Sequence, residues 1–400
     1  MMYGKRRRVA GAAVAAVAAL LLAGCTGTGK ADTESGSGGG DKKSEPFAMT
    51  LAPAAGKKDV PVAKKVTVGV RGGKLVSVEV ASPGPGKLAG KLNGQRTSWT
   101  SSAALAPGAS YTITARGMDD KGKQQTQTAE FSTAAPSKDK TFFGEYYPDK
   151  GVTVGVAHPV SVTFSKPVKN KAAVERALSV QAEPAVEGSW SWLKAWDGRD
   201  RIDYRPREYW KAHTKVTLTM HLAGVDAGGG VYGTQERVVD FSIGDAVTST
   251  MDVNKKTLTL ERNGKVVRTV PVSSGKPGFE TWNGTMVVLS KVPTIRMNSE
   301  SVGIFGSEAY DLGAVKWDVQ LTTSGTYVHA APWNEGKFGR VNGSHGCIGM
   351  STSTAQWFYS QVKVGDPVTV LHSTDVVQPN NGYGDWNVDW DAWVKGSALS

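Results

Sequence analysis

The chain has 400 residues, 40% of them apolar and 21% charged, with 48 glycines and a formal net charge of +11. That apolar share is enough for packed cores, so a disordered or fibrous chain is excluded, and the length suits roughly two to four domains. The basic residues are scattered, with no Arg-rich helix and no stacking motif. This argues against nucleic acid and leaves an acidic wall polymer, a membrane face or plain solubility as the meaning of the charge.

Residues Lys5-Arg6-Arg7-Arg8 precede an uninterrupted Ala/Val/Leu/Gly run from Val9 to Leu22. The run is too short for a membrane span and reads as the apolar part of an export signal, residues 1–24. It ends in Leu22-Ala23-Gly24-Cys25, which resembles the bacterial lipobox. The resemblance implies lipid on Cys25 and a protein anchored to the extracytoplasmic face of the membrane, facing the wall. Residues 25–46 are polar and Gly/Ser-rich and read as a flexible tether. With Cys25 lipidated, the second of the two cysteines, Cys347, has no intrachain partner. A lone thiol kept outside the cell is a candidate for chemistry.

Residues 47–135 read as a first β-domain. Lys65–Val70 and Leu75–Ala81 alternate around Gly72-Gly73 as a hairpin would, and Tyr111–Ala115 and Thr128–Thr133 supply further strands. Residues 136–246 read as a second. It has strands at Val160–Phe164, Trp190–Trp192, Arg201–Tyr204 and Lys215–Leu222, and a short helix at Lys171–Leu178. Both end alike, in Glu130-Phe131-Ser132-Thr133 and Asp240-Phe241-Ser242-Ile243, a weak internal repeat. His213 and His221 lie outside any reactive cluster and read as structural. These domains suit the role of spacers.

The third unit, residues 247–372, opens with a hairpin turned by Asn263-Gly264. Met286–Ser290, Lys316–Leu321 and Tyr327–His329 follow as strands. Ser351 caps a helix running to about Val362, and Asp366–Leu371 closes the unit. Residues 373–400 carry three tryptophans between Trp386 and Trp393, too much apolar bulk for a free tail.

The chemistry concentrates in Tyr327-Val328-His329-Ala330-Ala331-Pro332-Trp333 and Ser344-His345-Gly346-Cys347-Ile348-Gly349-Met350. A thiol nucleophile needs a base, a group that fixes the base's tautomer, and donors aimed at a developing oxyanion. His329 at a strand end is the candidate base, with its second ring nitrogen on a backbone carbonyl, that of Ala330. The N–H groups of His345, Gly346 and Cys347 are candidate donors, and a helix start just beyond them would favour negative charge. Two alternatives stay open from pattern alone: a zinc site made by His329, His345 and Cys347, for which the spacing fits no usual finger, and a buried structural cysteine.

The His329 and Ser344-His345-Gly346-Cys347 pattern, 18 residues from His to Cys, resembles the L,D-transpeptidase (YkuD-type) family. The whole layout resembles its actinobacterial multidomain members. The implied fold is mainly β, with two immunoglobulin-like β-sandwiches and a β-rich catalytic domain bearing a short helix after the active-site Cys. The implied activity is 3→3 cross-linking of peptidoglycan stem peptides through a Cys347 thioester, with D-Ala released and no cofactor or metal. By motif, Cys347 is the nucleophile, His329 the base, and the Ala330 carbonyl its orienter. His345 and Gly346 shape the oxyanion hole. Met297, Ser299, Tyr310, Trp333, Asn342 and Ser344 are substrate-binding candidates, the first two on a lid running from Met297 through Gly303, with Tyr310 beyond it. Carbapenems are the expected inhibitors. One departure is Gly349, where many members carry Asn or Arg. Hydrolysis of the same bond, protein attachment to the wall, and non-catalytic wall binding are the competing readings. A sortase-like site lacks its Leu-x-Thr-Cys strand and paired Arg here.

Overall fold

The computed structural model describes residues 45–83 and 86–400. The expected signal segment, nearly all of the tether and Cys25 lie outside the described residues. The chain is mainly β, as its alternating patterns imply.

In the first sandwich, Ala48–Ala52, Thr67–Arg71, Ser98–Ser101 and Gly90–Leu92 make one sheet. Lys57–Val60, Gln124–Thr133, Ser110–Asp119, Gly73–Ser82 and Gly86–Lys87 make the other. Val68, Leu75, Trp99, Ile113 and Phe131 fill the space between them. The expected hairpin around Gly72-Gly73 is not one. Thr67–Arg71 and Gly73–Ser82 belong to different sheets, and Gly72, at φ +63°, carries the chain across the corner. Alternation reveals that each strand buries one face but not which strand it pairs with, so a sandwich corner and a hairpin look alike in sequence.

The second sandwich has its own core, with Phe142, Phe164, Trp210, Leu218 and Met220 buried between two four-stranded sheets. The helix expected near residue 171 spans Lys171–Arg176, with Asn170 Oδ1 accepting from the Ala173 N–H at 3.3 Å.

The third unit stacks a five-stranded sheet against a four-stranded one. The first is ordered Lys265–Pro271, Thr257–Arg262, Val247–Asp252, Pro367–Leu371, Gly284–Val287. The second is ordered Ser290–Asn298, Asp311–Gln320, Tyr327–Ala330, Ile348–Met350. Asn263 and Gly264 turn the first hairpin with φ of +50° and +75°, the primed turn that Asn-Gly favours. The helix Thr352–Gln361 starts where Ser351 Oγ accepts from the Thr354 N–H, and it buries Ala355 and Phe358.

The tail folds back, as its tryptophans imply. Trp393 is 2% exposed, and its indole N–H donates to Ser189 O of the second sandwich at 2.9 Å. Trp386 donates to Ala157 O at 2.8 Å, while Asn387 Oδ1 accepts from the Thr285 N–H of the third unit, also at 2.8 Å. The Arg205 guanidinium lies 4.8 Å from the Trp386 and Trp393 rings. The tail thus straps the second sandwich to the third unit. Among the described residues, no helix is long and apolar enough to cross a membrane.

Candidate active site

Two strands bring the distant motifs together. Tyr327–Ala330 runs parallel to Ile348–Met350, with His329 opposite Gly349. Cys347 immediately precedes the second strand. A sequence gap of 18 residues therefore closes to a register offset of two residues, and His329 and Cys347 line the same cleft of about 230 Å³.

His329 is buried, and its Nδ1 lies 2.9 Å from the Ala330 carbonyl oxygen. A carbonyl only accepts, so Nδ1 carries the proton and Nε2 is left as a free base. Burial lowers the imidazole pKa from its ordinary value, against the pull of that carbonyl. The ring is therefore neutral at physiological pH. The indole of Trp333 stacks over it at 5.8 Å.

The loop that carries Cys347 is held from inside. Ser344 Oγ donates to Cys347 O at 2.6 Å and accepts from the Gly346 N–H at 3.2 Å. Thr281 Oγ1 donates to Gly346 O at 2.9 Å. Gly346 has φ +113°, a conformation that side chains rarely adopt, which accounts for glycine before Cys347. The thiol lies 3.7 Å from Gly325 O. Burial pushes the Cys347 pKa up to about 11, the Tyr327 backbone N–H opposes this, and the Asp318 carboxyl adds to it. The resting sulfur is therefore a neutral thiol.

One expectation is corrected here. The strand Ile348–Met350 separates Cys347 from the helix that starts at Thr352, so the sulfur does not sit at a helix N-terminus. No helix dipole lowers its pKa, and the proton has to leave by way of a base. A second correction concerns the donors: the Gly346 N–H is already shared with Ser344 Oγ and is not free for an oxyanion.

Met297, Tyr310, Trp333, Ser344 and His345 line the cleft with Leu312, Ala331, Asn334, Gly343 and Gly349. Ser299 and Asn342 do not. Ser299 is fully buried, its Oγ accepting from the Tyr310 N–H at 2.9 Å and its N–H donating to Tyr310 O at 3.0 Å, so it pins the base of the lid. Asn342 braces the loop instead, donating to Val253 O at 3.0 Å and accepting from the Ser274 N–H at 3.3 Å. Polar loop residues near a motif invite a binding role, but backbone groups had claimed both of these side chains.

The lid itself is the excursion between strands Ser290–Asn298 and Asp311–Gln320. Its Glu308 is a residue no motif singled out. Its carboxylate accepts from Lys276 Nζ at 2.6 Å and meets His345 Nε2 at 2.7 Å. Lys276 and then His345 hold the carboxyl below its ordinary range. Phe279 and Tyr310 pack on the His345 ring at 4.7 and 5.1 Å. His345 thus ties the thiol loop to the lid through its side chain. Gly349, the departure noted above, sits in a tight place: a Cβ there would lie 3.0 Å from Ala331 Cβ, which would have to give by a few tenths of an ångström, and in ordinary contact with Asn334 Nδ2 at 3.9 Å. Asn334 supplies the amide on that wall, and nothing in its sequence context marked it. Among the described residues, no group of three or more His, Cys, Asp or Glu side chains is arranged to hold a metal ion.

Residues 248–370 match the family model of the L,D-transpeptidase catalytic domain, and residues 57–226, spanning parts of both sandwiches, match a bacterial Ig domain. L,D-transpeptidase 2 of Mycobacterium tuberculosis is 35% identical over 364 residues, covering 89% of this chain and 88% of that one. L,D-transpeptidase 5 of the same species is 33% identical, covering 88% of this chain and 77% of its own length. A solved L,D-transpeptidase in complex with imipenem aligns at 37% identity and a TM-score of 0.50, covering 57% of this chain and 97% of that structure.

Proposed function

Because the chain belongs to the L,D-transpeptidase family, we propose that Cys347 is its nucleophile and that it forms 3→3 cross-links between peptidoglycan stem peptides. The observation that carries this reading is the cleft shared by a half-buried thiol and a neutral imidazole whose free nitrogen is Nε2.

The sulfur attacks the carbonyl of the L,D bond at the third residue of a tetrapeptide stem. Its proton passes to His329 Nε2 as the S–C bond forms. The imidazolium, kept in orientation by the Ala330 carbonyl, returns the proton to the departing D-Ala amine as the C–N bond breaks. A side-chain amine of a second stem then attacks the thioester and loses its proton to His329, and the thiol is restored. A thiol with a raised pKa suits this order, because charge on sulfur appears only as a base withdraws the proton. The backbone N–H of Cys347, with that of His345, is the donor set for the oxyanion. Met297, Tyr310 and Trp333 line the wall that would meet the stem.

The same thiol would open a carbapenem ring and keep the acyl group, as suggested by the imipenem complex of the aligned structure. We further propose that Cys25 carries lipid and that the two sandwiches space the enzyme from the membrane into the wall. Incubation with a purified tetrapeptide muropeptide tests the activity: cross-linked dimer and free D-Ala are the expected products. Tripeptide alone would replace this reading with hydrolysis of the same bond, and no turnover with an intact thiol would end it.

A further inference from the structure

The sheet that carries the site also buries a carboxyl that the mechanism does not use, that of Asp318. Asp318 is on the strand Asp311–Gln320, two residues before Gln320, which pairs with Tyr327. The turn between these two strands includes Gly325, whose carbonyl faces the Cys347 thiol. Asp318 is 0% exposed, and both its carboxyl oxygens lack a hydrogen-bond partner of good geometry. Such a group costs free energy that folding alone does not require, because an apolar residue would fill the space without it.

Its surroundings hold no compensating cation. On the strand Ser290–Asn298 its register partner is the apolar Val292, and only backbone N–H groups, those of Ile295 and of Asp318 itself, favour its charge. From the strand Tyr327–Ala330 it feels the Tyr327 phenol, and from the nucleophile loop Cys347, both of which respond to its charge. On the helix Thr352–Gln361, Tyr359 packs on Trp317, and Lys291 is spent on the Tyr359 ring and Val362 O. Lys316 on its own strand is exposed. Other buried acids of this chain are treated differently. Asp203 and Asp385 share Arg201, and Asp366 has Lys363 at 3.7 Å.

We propose that Asp318 is a positioning residue for the nucleophile: protonated, it leaves the sulfur free to develop charge, and ionised, it opposes that charge, so the reactivity of Cys347 carries a titration belonging to Asp318. This rests on the reading of Cys347 as nucleophile. Burial pushes the Asp318 pKa up to about 7, which puts the transition inside the range where a wall enzyme works. His329 titrates on the acid side of its ordinary value and so precedes it.

The test uses the full chain and chloroacetamide, a small neutral thiol reagent, with the adduct counted on the peptide containing Cys347 from about pH 5.5 to 9. It needs no peptidoglycan, so its outcome is separate from that of the transpeptidase assay. In the wild type, the logarithm of the rate is expected to rise with pH, flatten near neutrality and rise again. In Asp318→Asn the flattening should vanish, and the rate relative to wild type should be close to 1 at about pH 5.5 and roughly 3–10 at about pH 8.5. In His329→Gln the flattening near neutrality should persist. A ratio that is the same at every pH assigns Asp318 a purely structural role and overturns the proposal. So does a wild-type profile that passes straight through neutrality, or a flattening that disappears in His329→Gln. If Asp318→Asn fails to fold, the wild-type and His329→Gln profiles still decide.

Discussion

His158, where the second sandwich meets the tail, and His329, in the third unit, are held by the same device. Each is buried, and each places Nδ1 on the carbonyl of the next residue, at 2.7 Å on Pro159 and 2.9 Å on Ala330. Burial lowers the pKa of both, that of His158 to about 4. The difference lies in what the other side of the ring meets. His158 packs on the Tyr383 ring at 4.9 Å, and its own carbonyl accepts the Trp210 indole N–H. Both rings also border a cavity, but only that of His329 is lined by a thiol. A neutral, tautomer-fixed histidine is thus no signature of catalysis by itself; it becomes one only beside a group whose proton it can take.

Cys347→Ala breaks the comparison most severely. It should abolish both the covalent carbapenem adduct, read by intact mass, and dimer formation from tetrapeptide. His329→Gln comes next and should slow acylation by roughly 10²–10⁴-fold, the usual worth of a general base. His158→Phe should leave the acylation rate within about twofold, since that ring touches no reacting group. If both variants slow acylation alike, the distinction drawn above fails.

The same pair separates in stability. A histidine with a depressed folded pKa binds fewer protons than the unfolded chain below the ordinary value. Its contribution is therefore fully present above about pH 6.5 and lost as the pH falls towards 4. For His158 this amounts to about 3 kcal/mol, to be seen in denaturant midpoints between about pH 7 and 4. His158→Phe should flatten that dependence. The smallest effect is expected of Glu308→Gln, which weakens the Lys276 and His345 contacts of the lid. These groups are partly exposed and screened by solvent, so the contact holds the lid only weakly. Acylation by a carbapenem should slow a few-fold at low reagent concentration, with little change at saturation. An unchanged rate would free the lid from this contact.

Much of the site was legible because its parts are contiguous or chemically rare. Ser344-His345-Gly346-Cys347 is a run, His329 ends an alternating strand, and cysteine occurs only twice in the sequence. Asn263-Gly264 could turn only one way, and three tryptophans required a surface to cover them. What was missed arrives from elsewhere in the chain by packing. Glu308 reaches His345 across 37 residues, and the buried Asp318 acts on Cys347 from a strand that Tyr327–Ala330 separates from Ile348–Met350. Ser299 and Asn342 look like binding residues in sequence and are bound to backbone instead.

The sequence by itself determined the strand-rich class, the cap at Ser351, the Asn-Gly turn and which His and Cys side chains are the candidates for chemistry, because each depends on local conformation or intrinsic chemistry. Only the tertiary structure decided which strands pair across Gly72, that a strand rather than a helix start follows Cys347, and that its thiol is raised rather than lowered in pKa. Those outcomes depend on burial and on charges distant in the chain, and neither has a sequence pattern.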